Sequence, residues 1–174
     1  MIRVVVTGSE CTGKTTLAEA LAAYYGTVCV PEFARQFVID KGAAPDYRDV
    51  ELIARGQIAI EDAAVDDASE VLVQDTDLLS TVVYSRHYYD NVPDWIEFAF
   101  QKRAADLYLL TGIDVPWVAD GQQRDRGTRR EEMHELFRRA LLERRLRFAE
   151  IHGSADERLD AAIAGIDDQT ADTS

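Results

Sequence analysis

Residues 8–15 read Gly-Ser-Glu-Cys-Thr-Gly-Lys-Thr, which matches the G-x-x-x-x-G-K-[ST] pattern of a phosphate-binding loop. The β-branched run over residues 2–7 directly precedes this pattern and predicts a buried parallel strand. Leu17, Leu21 and Tyr24 follow it at helical spacing and predict a helix. Because strand, glycine-rich turn and helix stand in register, we interpret residues 8–15 as a nucleotide site rather than as a chance match in a helix-capping turn.

The residue types of the loop suit a nucleotide and a magnesium ion. Gly8 and Gly13 allow backbone conformations that a Cβ would penalise, so the loop N–H groups can point at a phosphate beside the helix N-terminus. Lys14 can reach the β- and γ-phosphates, and the Thr15 hydroxyl can ligate Mg²⁺. We therefore expect ATP and Mg²⁺ as cofactors, bound by Gly8, Ser9, Glu10, Cys11, Thr12, Gly13, Lys14, Thr15 and Thr16.

Composition excludes several classes of protein. The chain has 174 residues and a formal net charge of −13, which argues against nucleic-acid or membrane partners because both favour basic surfaces. No apolar run is long enough to span a bilayer, and a first strand at residue 2 leaves no room for a signal peptide. Two cysteines indicate neither a disulfide framework nor a set of metal ligands, so we expect a cytoplasmic protein. The sequence leaves its oligomeric state open.

The rest of the chain alternates strands with helices. Further strands are predicted over residues 27–30, 71–74, 106–111 and 148–151. This alternation predicts an α/β fold whose parallel sheet is covered by helices on both faces. We expect one domain over residues 1–167 and a disordered polar tail over residues 168–174.

Two charged residues follow the second predicted strand. Ligands in open α/β sheets bind beyond the carboxyl ends of the strands, so Glu32 and Arg35 are expected where a substrate would lie. The alternative is that they form an ion pair at the start of the next helix, where an acidic side chain is favourable.

An acidic pair follows the third predicted strand. Asp75 stands where P-loop proteins place a carboxylate near Mg²⁺, and Asp77 is a second candidate for substrate binding. The alternative is a capping role, in which Asp77 or Thr76 begins the next helix.

Two other clusters are given structural roles at this stage. The acidic run that begins at Glu61 is expected to form a solvated helix face. Tyr84, Tyr88 and Tyr89 could flank a planar ring, but packing is the favoured interpretation of such a cluster.

An arginine-rich loop stands out in this acidic chain. Arg124 and Arg126 lie beyond the fourth predicted strand, in a segment over about residues 117–130 that we interpret as a lid. Arginine can bind phosphate oxygens in bidentate fashion, and a closed lid excludes water from phosphoryl transfer. The alternative is a solvated loop whose arginines pair with Asp120 and Asp125.

Several segments together resemble the NadR-type nicotinamide riboside kinase domain, one of the P-loop kinases among the AAA-like ATP-binding proteins. They are residues 8–15, 31–35 (Pro-Glu-Phe-Ala-Arg), 75–77 (Asp-Thr-Asp) and 114–121, together with Arg124. The resemblance runs from about residue 2 to residue 166. The phosphate loop is generic to the superfamily, whereas the other segments are short but more particular.

The resemblance implies a fold and a reaction. The strand order would be 2-3-1-4-5, and the γ-phosphoryl group of ATP would pass to the 5′-hydroxyl of nicotinamide riboside. Glu32 would be the general base, with Asp75 and Asp77 as competitors, while Asp114 and Trp117 would contact the substrate. Trp117 would either stack on the pyridinium ring or anchor the lid. Only the kinase portion is expected here, because adenylyltransferase domains precede it in the family members that carry one.

Two rival functions remain open at this point. One is a kinase for another nucleoside or small metabolite. The other is a P-loop ATPase or GTPase switch, or a regulatory module that only binds nucleotide. The sequence has no Asn-Lys-x-Asp segment of the kind that reads guanine, which disfavours a GTPase.

Overall fold

The computed structural model describes residues 1–116 and 129–173, with side chains up to residue 171. Its five strands form one sheet: β1 Ile2–Thr7, β2 Cys29–Val30, β3 Val71–Asp75, β4 Leu107–Thr111 and β5 Phe148–Ile151. The helices are α1 Lys14–Tyr25, α2 Phe33–Lys41, α3 Val50–Ala64, α4 Leu78–Tyr89, α5 Asp94–Arg103, α6 Arg130–Glu143 and α7 Ala155–Thr173. No helix in these described ranges is long and apolar enough to cross a lipid bilayer.

The sheet has the predicted order and direction. All four strand pairs are parallel, and the order is β2-β3-β1-β4-β5. Because β1 is central, Val6 pairs with Asp75 of β3 and Thr7 pairs with Leu110 of β4. The phosphate loop therefore leaves the sheet between the carboxyl ends of β3 and β4, which is where ligands bind in open α/β sheets.

Two hydrophobic cores cover the two faces of the sheet. Val5 of β1 packs with α3, α4, α5 and α6 on one face, in a core that includes Phe137. Val4 and Val6 point the other way and pack with α1 and α7, in a core that includes Leu21. Successive strand residues face opposite sides, so an unbroken apolar run is what a strand covered on both faces requires.

The sequence favours one long helix that is capped by Asp46 or Asp49 and reaches about residue 68, with Leu52, Ile53, Ile58 and Ile60 among its apolar positions. The structure replaces one long helix reaching residue 68 with a 3₁₀ turn over Tyr47–Asp49, capped by Asp46, and an α-helix that ends at Ala64. Of these apolar positions Ile53 is buried and Leu52 is exposed, whereas the polar residues Gln57 and Glu61 are buried. Polar side chains therefore occupy core-facing positions of this helix.

Helix α7 continues to Thr173 rather than ending near residue 166, so most of the expected disordered tail is helical. Ile166 is fully buried in the core beneath α1. The Tyr25 hydroxyl donates a hydrogen bond to Asp167 Oδ1 at 3.0 Å, and the Thr170 hydroxyl donates to the Asp167 carbonyl oxygen at 2.6 Å. The Tyr25 contact holds α7 against the end of α1 beyond Ile166, and the Thr170 contact lies within α7 itself.

Candidate nucleotide and acceptor site

The phosphate loop is pressed against the end of β4. Gly8 has a φ of +133°, and a Cβ at this position would lie 2.7 Å from Thr111 Oγ1. Gly13 is the N-cap of α1 and has a φ of +79°. Both glycines are therefore required by the backbone conformation, and Gly8 also by the close approach of β4.

Hydrogen bonds inside the loop fix its shape. The Thr12 hydroxyl donates to the Ser9 carbonyl oxygen at 2.9 Å and contacts Thr111 Oγ1 at 2.6 Å. The Thr111 hydroxyl donates to the Thr7 carbonyl oxygen at 3.1 Å. Lys14 Nζ donates to the Ser9 carbonyl oxygen at 2.8 Å, so its ammonium group lies over the loop at the wall of a cavity.

The residues present fit a magnesium ion beside the loop. The Thr15 hydroxyl donates to Asp75 Oδ2 at 2.5 Å. The other carboxylate oxygen, Asp75 Oδ1, is buried and has no hydrogen-bond partner among the described residues. An unpartnered buried carboxylate oxygen next to a hydroxyl suits Mg²⁺, which takes most of its remaining ligands from phosphate and water. The described ranges contain no cluster of three or more His, Cys, Asp or Glu side chains that could hold a metal ion.

Glu32 lies between β2 and α2, at the N-cap position of α2, and faces the same cavity as Lys14. Its side chain is only 22% exposed and lies 3.8 Å from the Arg35 guanidinium, so the expected ion pair is present as well. Burial raises the pKa of Glu32, while the neighbouring Lys14 lowers it, Asp75 raises it and Arg35 lowers it. A raised pKa makes a carboxylate a stronger base near neutral pH.

The cavity has a volume of about 550 Å³ and extends from the loop between α2, α3 and α4. Tyr84 and Tyr88 line it, with ring centroids 6.1 Å apart and planes 5° from parallel. The Tyr89 hydroxyl donates to the Pro45 carbonyl oxygen at 2.8 Å and closes the far wall. The packing interpretation of these tyrosines is therefore incomplete. Their spacing of four residues, with Thr81 and Ser85 on the same helix face, was the available signal.

Asp77 points away from the cavity. Thr76 has a φ of +72°, which is unusual for a β-branched residue, and this turn sends the side chains of Asp75 and Asp77 to opposite sides. Asp77 Oδ1 accepts from the Leu79 N–H at 2.9 Å, and Asp77 Oδ2 accepts from the Tyr108 hydroxyl at 2.8 Å. The capping alternative is thus the one observed, and we withdraw Asp77 as a candidate for substrate binding and for the base.

Asp114 also lies outside the acceptor cavity. Its Oδ1 accepts from Arg158 Nη2 at 2.6 Å, and its Oδ2 accepts from the Gly153 N–H at 2.6 Å. These contacts place Asp114 beyond the ends of β4 and β5, on the nucleotide side of the sheet. The expected contact between Asp114 and the acceptor is therefore replaced by a structural contact with Arg158.

Arg158 was not identified from the sequence, yet it joins three parts of the site. It is 4% exposed and belongs to α7. Its guanidinium donates to the carbonyl oxygens of Thr12 at 2.6 Å, Gly112 at 3.2 Å and Gly153 at 2.9 Å. One planar cation with several donors thus links the phosphate loop to the ends of β4 and β5. No local pattern marks such a residue, because its partners are distant in sequence.

Most of the predicted lid, residues 117–128, lies outside the described residues, and its last residue, Arg130, begins α6. Trp117, Arg124 and Arg126 lie outside the described residues, so their roles stay predictions.

A family model described as an AAA domain matches residues 3–158. The chain belongs to this AAA domain family. NadR of Escherichia coli (strain K12), a trifunctional NAD biosynthesis/regulator protein, is 29% identical over 153 residues, which cover 85% of this chain and 37% of NadR. NadR of Salmonella typhimurium is 31% identical over 122 residues, which cover 68% of this chain and 30% of that protein. This AAA domain chain therefore spans about a third of the length of these relatives.

Solved structures agree with the fold of this AAA domain. The crystal structure of NadR protein in complex with NR gives a TM-score of 0.79 at 24% identity, covering 98% of this chain and 52% of that one. The crystal structure of NadR protein in complex with NAD and AMP-PNP gives a TM-score of 0.75 at 23% identity and covers 98% of this chain and 49% of that one. Thymidylate kinase from Candida albicans gives a TM-score of 0.66 at 12% identity and covers 97% of this chain and 92% of that one. The predicted P-loop kinase fold and the resemblance to NadR are thus confirmed, and the predicted class of ATP-dependent kinase agrees with these relatives.

Replacing Arg158 should weaken nucleotide binding. In Arg158→Lys, one ammonium group cannot satisfy acceptors on three loops, and hydrogen bonds to a charged group contribute about 1.5–3 kcal/mol each. We expect the Kd for a Mg²⁺-bound, non-hydrolysable ATP analogue to rise about tenfold or more, since a tenfold change corresponds to about 1.4 kcal/mol. Isothermal titration calorimetry measures this. Arg139→Lys, in an exposed pair with Glu143, is the control, and equal Kd values in both variants would contradict the role assigned to Arg158.

Asp77 should give the stability a distinctive pH dependence. Burial and the nearby Glu61 raise the pKa of Asp77 from 3.8 to about 7. Between about pH 4 and pH 7 the folded protein therefore keeps a proton on Asp77 that the unfolded chain has released. As the pH rises through this range, Asp77 lowers the free energy of unfolding by at most about 1.4 kcal/mol per pH unit. Asp77→Asn keeps a capping side chain and removes the titration.

Urea unfolding at pH 5 and pH 8 checks the sign. Relative to the unaltered protein, Asp77→Asn should gain more stability at pH 8 than at pH 5, whereas Asp94→Asn, at an exposed helix start, should show no such difference. A stability difference for Asp77→Asn that is the same at both pH values would refute the raised pKa.

Proposed function

We propose that this chain transfers the γ-phosphoryl group of ATP to the 5′-hydroxyl of nicotinamide riboside, giving nicotinamide mononucleotide and ADP. The observation that carries the proposal is that Lys14 of the phosphate loop and the carboxylate of Glu32 line one cavity. A phosphate-binding cation and a base that line the same cavity are what transfer to an alcohol requires. The similarity to NadR and to a NadR structure in complex with NR supports this choice of acceptor.

The step makes and breaks one bond to phosphorus. A bond forms between the acceptor 5′-oxygen and the γ-phosphorus, and the bond from that phosphorus to the β,γ-bridging oxygen breaks. The hydroxyl proton passes to the Glu32 carboxylate, whose raised pKa favours acceptance. Lys14 and the loop N–H groups offset the negative charge of the phosphates, since catalysis here rests on positioning and electrostatic stabilisation.

Thr15 and Asp75 would hold Mg²⁺, which would supply positive charge to offset the negative charge of the phosphates. The buried, unpartnered Asp75 Oδ1 supports this assignment. Arg124 and Arg126 of the predicted lid would add further positive charge to offset the negative charge of the phosphates.

The walls of the cavity suit a flat aromatic acceptor. Its lining is mainly apolar and includes Tyr84 and Tyr88, so a ring can be buried there without leaving many polar groups unpaired. The pyridinium ring of nicotinamide riboside carries a positive charge, and cations are attracted to the faces of aromatic rings. Trp117 stays a candidate for a second face of the ring.

A nucleoside panel tests the acceptor. ADP release and product mass would be measured with nicotinamide riboside, uridine, thymidine, adenosine and no acceptor, with Lys14→Ala as the control for contaminating kinases. We expect ADP release to require nicotinamide riboside and the product to gain one phosphoryl group. Preference for another nucleoside would overturn nicotinamide riboside as the proposed acceptor. Equal ADP release without any acceptor would favour an ATPase and overturn the kinase proposal as a whole.

Glu32→Gln tests the base. The amide keeps the size of the side chain but cannot take the hydroxyl proton, so we expect kcat to fall about 10²–10⁴-fold while the Kd for ATP changes little. Steady-state kinetics and calorimetry measure the two quantities, and Glu51→Gln, on the exposed face of α3, is the matched control. A near-normal kcat in Glu32→Gln would transfer the role of base to Asp75.

A further inference from the structure

A buried chain of polar side chains runs behind Glu32. Gln57 of α3 is 2% exposed and also lines the cavity wall. Its Oε1 accepts from the Phe33 N–H at 3.0 Å, and its Nε2 donates to Glu61 Oε1 at 3.2 Å. Phe33 is the first residue of α2 and follows Glu32 directly, and Glu32 makes no side-chain capping bond of its own. A side chain from another helix therefore satisfies the first N–H of α2.

The second link of the chain is charged. Glu61 is 2% exposed, and its Oε2 accepts from Arg103 Nε at 3.3 Å and from Arg103 Nη2 at 3.2 Å. Burial raises the pKa of Glu61, while Gln57 and then Arg103 lower it. The prediction that this acidic run forms a solvated face is thus wrong for Glu61. Both of its carboxylate oxygens have partners, which a buried charge requires.

Helices α2 and α3 are in close contact at this point. Gly56 precedes Gln57, and a Cβ added to Gly56 would lie 2.2 Å from the Phe33 ring. The start of α2 is therefore fixed against α3 by ring packing on one side and by the Gln57 hydrogen bond on the other. Folding alone does not explain a charged pair here, because replacing buried ion pairs with apolar residues is often neutral or stabilising.

We propose that Gln57, held by Glu61 and Arg103, is a positioning residue that sets where the Glu32 carboxylate lies relative to the acceptor hydroxyl. This inference rests on the proposed function, in which Glu32 is the base. Gln57 acts through the backbone of α2, because its amide oxygen is engaged by Phe33 and its amide nitrogen by Glu61.

Gln57→Met tests the proposal, since methionine has a similar length and shape but neither accepts the Phe33 hydrogen bond well nor donates to Glu61. We expect kcat to fall about 10–100-fold, because a misplacement of about 1 Å can cost about 10²-fold in rate. The KM for the acceptor and the Kd for ATP should stay within about twofold of the unaltered protein. A raised acceptor KM at unchanged kcat would show that Gln57 binds substrate instead, which overturns the proposal.

Asp62→Asn is the matched control. Asp62 accepts from the same Arg103 at 2.6 Å but is 57% exposed and makes no contact with Gln57 in the described hydrogen bonds, so its loss should leave kcat unchanged. If Gln57→Met does not fold, Glu61→Gln gives the second measurement. Glu61→Gln keeps an acceptor for Gln57 but loses the charge that Arg103 binds. We expect it to lower kcat by less than Gln57→Met does, and an unaltered kcat would overturn the proposal.

A double-mutant cycle separates this inference from the proposed function. If Gln57 acts through Glu32, Gln57→Met should have little further effect on kcat in a Glu32→Gln background. Losses that multiply independently would show that Gln57 acts elsewhere. Normal turnover in Glu32→Gln alone would refute Glu32 as the base, whereas slow Glu32→Gln with full kcat in Gln57→Met would refute only the positioning role.

Discussion

The end of β4 approaches the phosphate loop so closely that residue 8 has no room for a side chain. The distance that a Cβ would leave to Thr111 Oγ1, 2.7 Å, is less than van der Waals contact. On the other side of β1, the pairing of Val6 with Asp75 of β3 brings Asp75 beside Thr15. The amides, the lysine and the carboxylate that a nucleotide needs are therefore brought together by the packing of the sheet, and the other parts of the site are arranged around them.

Three carboxylates near the strand ends differ in the contacts that they make. Glu32 faces the cavity with Lys14, Asp75 contacts the Thr15 hydroxyl, and Asp77 is buried against Tyr108. The left-handed turn at Thr76 separates the last two. Residue type alone could not divide these roles, since each carboxylate follows a strand and each suits a base, a metal ligand or a helix cap. The direction in which each side chain points decides which of these three roles its surroundings allow.

Much of the fold was predictable because its signals are local. The glycine pattern, the β-branched runs and the helical spacings each depend on neighbouring residues, and the strand order followed from the resemblance. The buried polar contacts were not predictable in this way. Glu61 reads as one more acidic residue until Arg103 is placed beside it, and Arg158 reads as a surface arginine of the last helix. Absence of nucleic-acid partners, a cytoplasmic location and the lid remain predictions from the sequence.

The contact between Arg158 and the Thr12 carbonyl oxygen joins residues 146 positions apart in the chain. Strands and helices that depend on local contacts form early in folding. A contact of such long range forms late, because a long loop of the polypeptide must first be closed. A growing polypeptide on the ribosome can thus display the glycine motif long before that motif is held in shape. Competence to bind nucleotide should therefore arise only once α7 has emerged and docked.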